Sequence, residues 1–256
     1  MTELPQFFCR GLAVASLPQD HVYDLGLLET MRCQHGSVPL WALHRARLQR
    51  GGHLSVALLA EVDRAVRKIA ANCPSASAKL RLRWGLVDAE ERWDLSLLPL
   101  EPTPELTQGA RLFPCATRLE SPDSANLGCK TLRRTRYNRA RSELPAGEPT
   151  DGLLRDSRGW VIESLRCNLL ARISGTWVTP DLSRCGVRGV MRDWIARHIE
   201  LSEMNLDLES LCQADEVALC NSVRGVMPVT ELIGYRNWPI GPETRKLQQL
   251  IAEELW

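Results

Sequence analysis

The stretch RDSRGWVIESLRCNLL, residues 155–170, decides how this chain is read. Apolar runs at 153–154 and 160–162 flank the turn sequence DSRG, and a second pair, 169–173 and 177–179, flanks Ser174 and Gly175. Short strand-forming runs joined by a few turn residues predict β-hairpins. The strand 160–162 runs straight into a carboxylate, Glu163. Burying that group is costly unless it is partnered, so the residue is either a water-facing edge glutamate or part of a site.

Two neighbouring stretches favour a site. Upstream, KTLRRTRYNRARSEL at 130–144 opens with Lys130, just after Gly128 and Cys129 and before a helix-like segment. Most lysines are solvated, but a buried lysine with a lowered pKa condenses with an aldehyde. Downstream, CGVRGVMRDWI at 185–195 reads as a glycine-marked helix start, where backbone N–H groups bind phosphate. Val187 and Arg188 are the donors expected there, with the hydroxyl of Ser222 and the guanidinium of Arg47 in HRARL, 44–48. Arg45 and Arg50 lie close enough to compete with Arg47 for that role.

The first hundred residues alternate strand-like and helix-like stretches. Leu40, Leu43, Ala46 and Leu48 recur at helical spacing over 40–51, as do Leu58, Val62, Ala65, Val66 and Ile69 over 57–71. Strands are expected at 79–84 and 94–100, and EPTPELTQGA, 101–110, is the candidate approach to a linker. Farther on, the pattern predicts a helix over 188–204 burying Val190, Met191, Trp194, Ile195 and Ile199, then strands near 215–220 and 226–232. The expected fold class is α+β, with a small N-terminal α/β domain at 1–108 and a larger strand-rich domain at 109–256.

Composition excludes several classes. Lys plus Arg at 32 against Asp plus Glu at 31 leaves a net charge of +1, so no overall field draws in nucleic acid or an anionic membrane. Arg133, Arg134, Arg136, Arg139 and Arg141 spread around a helix with no aromatic interleaving beyond Tyr137, which reads as a solvated face. The 9 cysteines show no C-x-x-C pair, and His21, His35, His44, His53 and His198 have no metal-ligand spacing. A reduced, cytoplasmic protein without a metal site is expected. The N-terminus lacks signal-peptide character, and no run approaches the roughly 20 apolar residues of a membrane span.

LLETMR at 27–32, HRARL at 44–48, KTLRRTRYNRAR at 130–141, RDSRGWVIESLRCNLL at 155–170, GVRGVMR at 186–192 and LCQADEVALCNSVRGVMPV at 211–229 together resemble the class IV aminotransferase family. These are the fold-type IV pyridoxal-phosphate enzymes, and the similarity is greatest to the aminodeoxychorismate lyases among them. The resemblance implies a D-amino acid aminotransferase-like fold with a pseudo-barrel second domain, pyridoxal 5'-phosphate as cofactor, and a homodimer. It implies that Lys130 carries the cofactor and moves protons, that Glu163 meets its protonated pyridine nitrogen, and that Arg47 binds its phosphate. The implied reaction is lysis of 4-amino-4-deoxychorismate to 4-aminobenzoate and pyruvate. The alternative is transamination of D-amino or branched-chain amino acids.

The resemblance weakens near the substrate. RLRWGLVDAEERWDL at 81–95 places Trp84 before Gly85 and acidic residues where the family has glycines, YDLG stands at 23–26 for Y-G-D-G, and Arg133 replaces the lyases' asparagine. Thr30, Arg32, Arg83 and Arg92 are the candidates to meet a substrate carboxylate.

Overall fold

A computed structural model describes residues 3–52, 54–120, 126–146 and 150–256, so His53 lies outside the described residues. The chain forms two compact units, one of residues 1–102 with 129–133, the other of 103–128 with 134–256. The break falls after Pro102 rather than after residue 108, and the Lys130 segment returns to the first unit instead of staying in the second.

The first unit contains β1 (Gln6–Cys9), β2 (Leu12–Val14), β3 (Asp24–Gln34), α1 (Trp41–Gly52), α2 (Val56–Ala71), β4 (Ser77–Val87) and β5 (Glu90–Pro99). Its strands form one antiparallel sheet in the order β2-β1-β5-β4-β3. Alternate residues of β3 to β5, among them Met31, Leu80, Leu82, Leu95 and Leu97, pack against Leu58, Leu59, Val62, Val66 and Ile69 of α2. Both periodicities, two in the strands and near 3.6 in the helix, put apolar groups on one face. Ser55 caps α2, its hydroxyl accepting from the Leu58 N–H at 3.2 Å.

The face that α1 buries differs from the expected one. Trp41, His44, Arg47 and Leu48 are buried, while Leu43 is intermediate and Ala46 exposed. Two polar side chains can occupy that stripe because a carboxylate on β3, Glu29, pairs with both. The RLRWGLVDAEERWDL stretch is the β4–β5 hairpin, closed by Asp88 and Ala89 at φ 53° and 63°. A two-residue turn with both φ positive matches the strand twist.

Residues 129–133 lie along the outer edge of β3. The Leu28 N–H donates to the Lys130 carbonyl at 2.8 Å, the Leu132 N–H donates to the Gly26 carbonyl at 2.8 Å, and Leu27 pairs with Thr131 in an antiparallel bridge. The edge strand thereby gains a short partner that fixes where Lys130 stands.

The second unit begins with α3 (Glu105–Gln108), β6 (Ala110–Leu119) and α4 (Thr135–Arg141). It continues through β7 (Asp151–Asp156), β8 (Val161–Ser164), β9 (Asn168–Ile173), β10 (Thr176–Pro180), α5 (Val190–Ile195), β11 (Leu201–Met204) and α6 (Leu208–Cys212). It ends with β12 (Glu216–Asn221), β13 (Gly225–Leu232), β14 (Arg236–Asn237) and α7 (Pro242–Glu254). The strands run β11-β10-β9-β12-β13-β6-β7-β8, and β8 pairs back onto β9 through Glu163 and Asn168. That last pairing closes β9, β12, β13, β6, β7 and β8 into a barrel, as the family resemblance implied. Leu112, Leu153, Val161, Leu169, Val217, Leu219 and Met227 belong to its packed core.

The predicted helix over 188–204 is shorter than expected. It ends at Ile195, and residues 201–204 form a strand parallel to β10. Hydrogen bonding along an open sheet edge competes with helical periodicity there, and His198 turns back to stack on Trp194 with ring centroids 3.8 Å apart.

Candidate active site

Lys130 occupies the first unit's edge segment and is half-buried, its ammonium Nζ donating to the Thr30 hydroxyl at 3.0 Å. Beneath the same strand, Glu29 is 2% exposed and accepts from Arg47 twice, from Nε at 2.8 Å and Nη2 at 2.5 Å. His44 Nδ1 lies 2.6 Å from Oε2, the oxygen that also accepts from Arg47 Nη2. Burial alone would raise the Glu29 pKa, but the Arg47 charge and the hydrogen bonds of His44 and Arg47 outweigh it and bring it to about 2. Burial lowers the His44 pKa against the pull of Glu29, with the charges of Arg47 and Lys130 adding to the lowering. A neutral His44 therefore donates through Nδ1, and its buried Nε2 has no hydrogen-bond partner among the described residues.

The second unit builds a different constellation around Glu163, which is 3% exposed on β8. The Tyr137 hydroxyl of α4 donates to its Oε1 at 2.5 Å, the Val187 N–H lies 3.2 Å from both oxygens, and Asn168 Nδ2 lies 3.5 Å from Oε2. Asn168 also donates to the Val187 carbonyl at 2.8 Å. Two glycines allow this closeness. Gly186 takes φ +91°, and a Cβ on Gly189 would stand 1.8 Å from Asn168 Oδ1.

The expected phosphate donors divide. The Val187 N–H is directed at Glu163 and the Arg188 N–H donates to the Gly128 carbonyl at 2.9 Å, so neither is a spare donor. The helix begins after Gly189, so its first turn opens at Val190 and not at Val187 or Arg188. Ser222 is buried just past the end of β12. Of the three competing arginines, Arg47 is 4% exposed, Arg45 is intermediate with Nη1 3.4 Å from Gln49 Oε1, and Arg50 is exposed. Arg47 is thus set apart from its neighbours, with Nε and Nη2 held on Glu29.

The substrate candidates divide similarly. Thr30 and the half-buried Arg32 stand on the same face of β3, with Arg32 Nε donating to Gln34 at 2.9 Å. Arg83 is only 3% exposed, with Nε and Nη2 on Asp94 at 2.9 and 2.7 Å and Nη1 on Asp20 at 2.7 Å. Those carboxylates occupy its guanidinium, so Arg83 is a structural arginine and not one aimed at substrate. Arg92 is exposed and lies 3.7 Å from Glu90. Glu29, His44, Tyr137 and Asn168 were not assigned from the sequence; Glu29 stands inside the LLETMR match, which was the available signal.

A profile of the family amino-transferase class IV matches residues 26–232. The chain belongs to that family. It is similar to the aminodeoxychorismate lyase of Vibrio harveyi, 32% identical over 149 residues that make up 55% of each protein. It is also similar to the branched-chain-amino-acid aminotransferase of Escherichia coli K12, 30% identical over 106 residues, 39% of this chain and 34% of the relative. The chain therefore matches about half the length of the lyase and about a third of the aminotransferase. The crystal structure of 4-amino-4-deoxychorismate lyase from Pseudomonas aeruginosa superposes with TM-score 0.85 and 34% identity, covering 97% of this chain and 99% of that one. Among the described residues no helix is long and apolar enough to cross a membrane, and no cluster of His, Cys, Asp and Glu could hold a metal ion.

Proposed function

We propose that this chain is a pyridoxal-phosphate-dependent 4-amino-4-deoxychorismate lyase, releasing 4-aminobenzoate and pyruvate and so serving folate synthesis as a cytoplasmic homodimer. The observation that carries the reading is the 34% identity to the P. aeruginosa lyase over nearly the whole of both chains, reinforced by a half-buried lysine amine held on Thr30.

The donor set fits the cofactor. Lys130 offers an amine, Glu163 a buried carboxylate, and Arg47 a guanidinium kept in place by Glu29. Gly186 and Gly189 keep side-chain bulk away from Glu163 and Asn168. When bound, pyridoxal phosphate supplies an electron sink whose strength depends on a protonated ring nitrogen. Lys130 is the residue that would hold it, and its amine would take the substrate C4 proton as general base. Thr30, accepting from Nζ, directs that amine. Glu163 stabilises charge on the ring nitrogen, and Arg47 meets the phosphate by a charge-assisted bond. Ser222 adds a hydroxyl to the phosphate donors. Arg32, beside Thr30 on β3, is the residue assigned to a substrate carboxylate.

The second reading is transamination of a D-amino or branched-chain amino acid, favoured by the similarity to the E. coli branched-chain enzyme. Incubating purified protein with aminodeoxychorismate, beside a panel of amino-acid and 2-oxo-acid pairs, separates the two. The lyase reading expects 4-aminobenzoate and pyruvate in equal amounts. Activity confined to the amino-acid panel overturns it.

A further inference from the structure

The arginine-rich segment 133–141 hides one aromatic side chain, and that side chain reaches Glu163. Tyr137 lies on α4, where it packs against the apolar cluster that holds Leu154, Ile162 and Leu182. Its hydroxyl leaves that apolar cluster to donate to Glu163 Oε1 at 2.5 Å, the shortest of the contacts described at this carboxylate. The Arg134 guanidinium stands over the ring, 3.7 Å from its centroid, and is itself anchored by Nη2 donating to the Leu165 carbonyl at 2.9 Å. Burial, and after it the negative charge of Glu163, push the phenol well above its ordinary pKa, with Arg134 opposing. Tyr137 is thus a neutral donor to the Glu163 carboxyl. A cation over the ring face draws density from the phenol and strengthens that donation.

We propose that Tyr137, backed by Arg134, is a positioning residue that fixes the Glu163 carboxylate for the pyridine nitrogen of the cofactor. The proposal rests on the reading that Glu163 meets that nitrogen. Removing the Tyr137 hydroxyl takes away the shortest contact described at Oε1 and loosens the carboxylate about its last torsion. A donor bond to a charged group sets the expected loss at roughly tenfold in cofactor affinity.

The test compares two ligands on cofactor-free protein: pyridoxal phosphate, and 1-deazapyridoxal phosphate, in which a C–H replaces the ring nitrogen. Dissociation constants are measured for wild type, Tyr137→Phe and Arg134→Gln, with circular dichroism to confirm folding. Wild type is expected to prefer pyridoxal phosphate. Tyr137→Phe is expected to lose roughly tenfold for pyridoxal phosphate and to bind the deaza analogue as wild type does, with Arg134→Gln losing less in the same pattern. Equal loss for both ligands, or no loss for either, overturns the positioning role, since a packing defect does not distinguish the ring atoms. If Tyr137→Phe fails to fold, the Arg134→Gln pattern decides in the same way. A wild type that binds the two ligands equally removes the assignment of Glu163 itself, and this proposal with it.

Discussion

Replacing Glu29 by glutamine removes the carboxylate that holds the buried Arg47, which is 4% exposed. Two routes lead to the cost. A carboxyl brought from 4.5 to about 2 by folding represents about 3 kcal/mol, at roughly 1.4 kcal/mol for each tenfold change in proton affinity. Removing one member of a buried ion pair independently costs about 3–5 kcal/mol. Urea unfolding followed by tryptophan fluorescence reads it, because Trp41, Trp84 and Trp93 share this core. The sign with pH follows. Glu29 has its folded pKa depressed, so its stabilisation is present above 4.5 and is lost as the pH falls towards about 2. His44 is also depressed below its ordinary 6.5, and as a base that resists charging when folded it costs stability below that pH. Wild type should therefore weaken below about pH 6.5 and more steeply below about 4.5, while Glu29→Gln starts about 3 kcal/mol lower and lacks the steep part. Two curves of equal height, or two that run parallel down to pH 2, would refute the reasoning.

The purified protein should be yellow, and Lys130→Ala should lose the visible absorbance of bound cofactor with nearly all turnover; normal activity in that variant removes the assignment of Lys130. Glu163→Gln should keep bound cofactor and lose roughly a hundredfold in kcat, about 2.7 kcal/mol of barrier stabilisation, and unchanged turnover would mean that the carboxylate plays no part at the ring.

The strands and hairpins around Glu163 were legible because their cues are local: alternation within a strand and turn residues between strands. The buried partners were not, because they depend on register. Arg83 sits opposite Asp94 across β4 and β5, and that pairing, invisible in one strand's text, makes it structural. His44 carried no motif of its own, and its role appears only where α1 lies over Glu29. The helix start after Gly189 was misplaced by a few residues because Val187 and Arg188 look like free first-turn donors until Glu163 and Gly128 are seen to accept from them. Tyr137 was noted only as an interruption of a basic stripe, since nothing in the segment signals that its hydroxyl meets a strand 26 residues away.

The measurement that bears most directly on the lyase reading is repeated turnover of aminodeoxychorismate with no 2-oxo acid present. Steady release of 4-aminobenzoate and pyruvate in equal amounts, over many turnovers, is the predicted result. A reaction that stops after one turnover with the cofactor left in its amine form, and resumes when a keto acid is added, would contradict it and identify a transaminase.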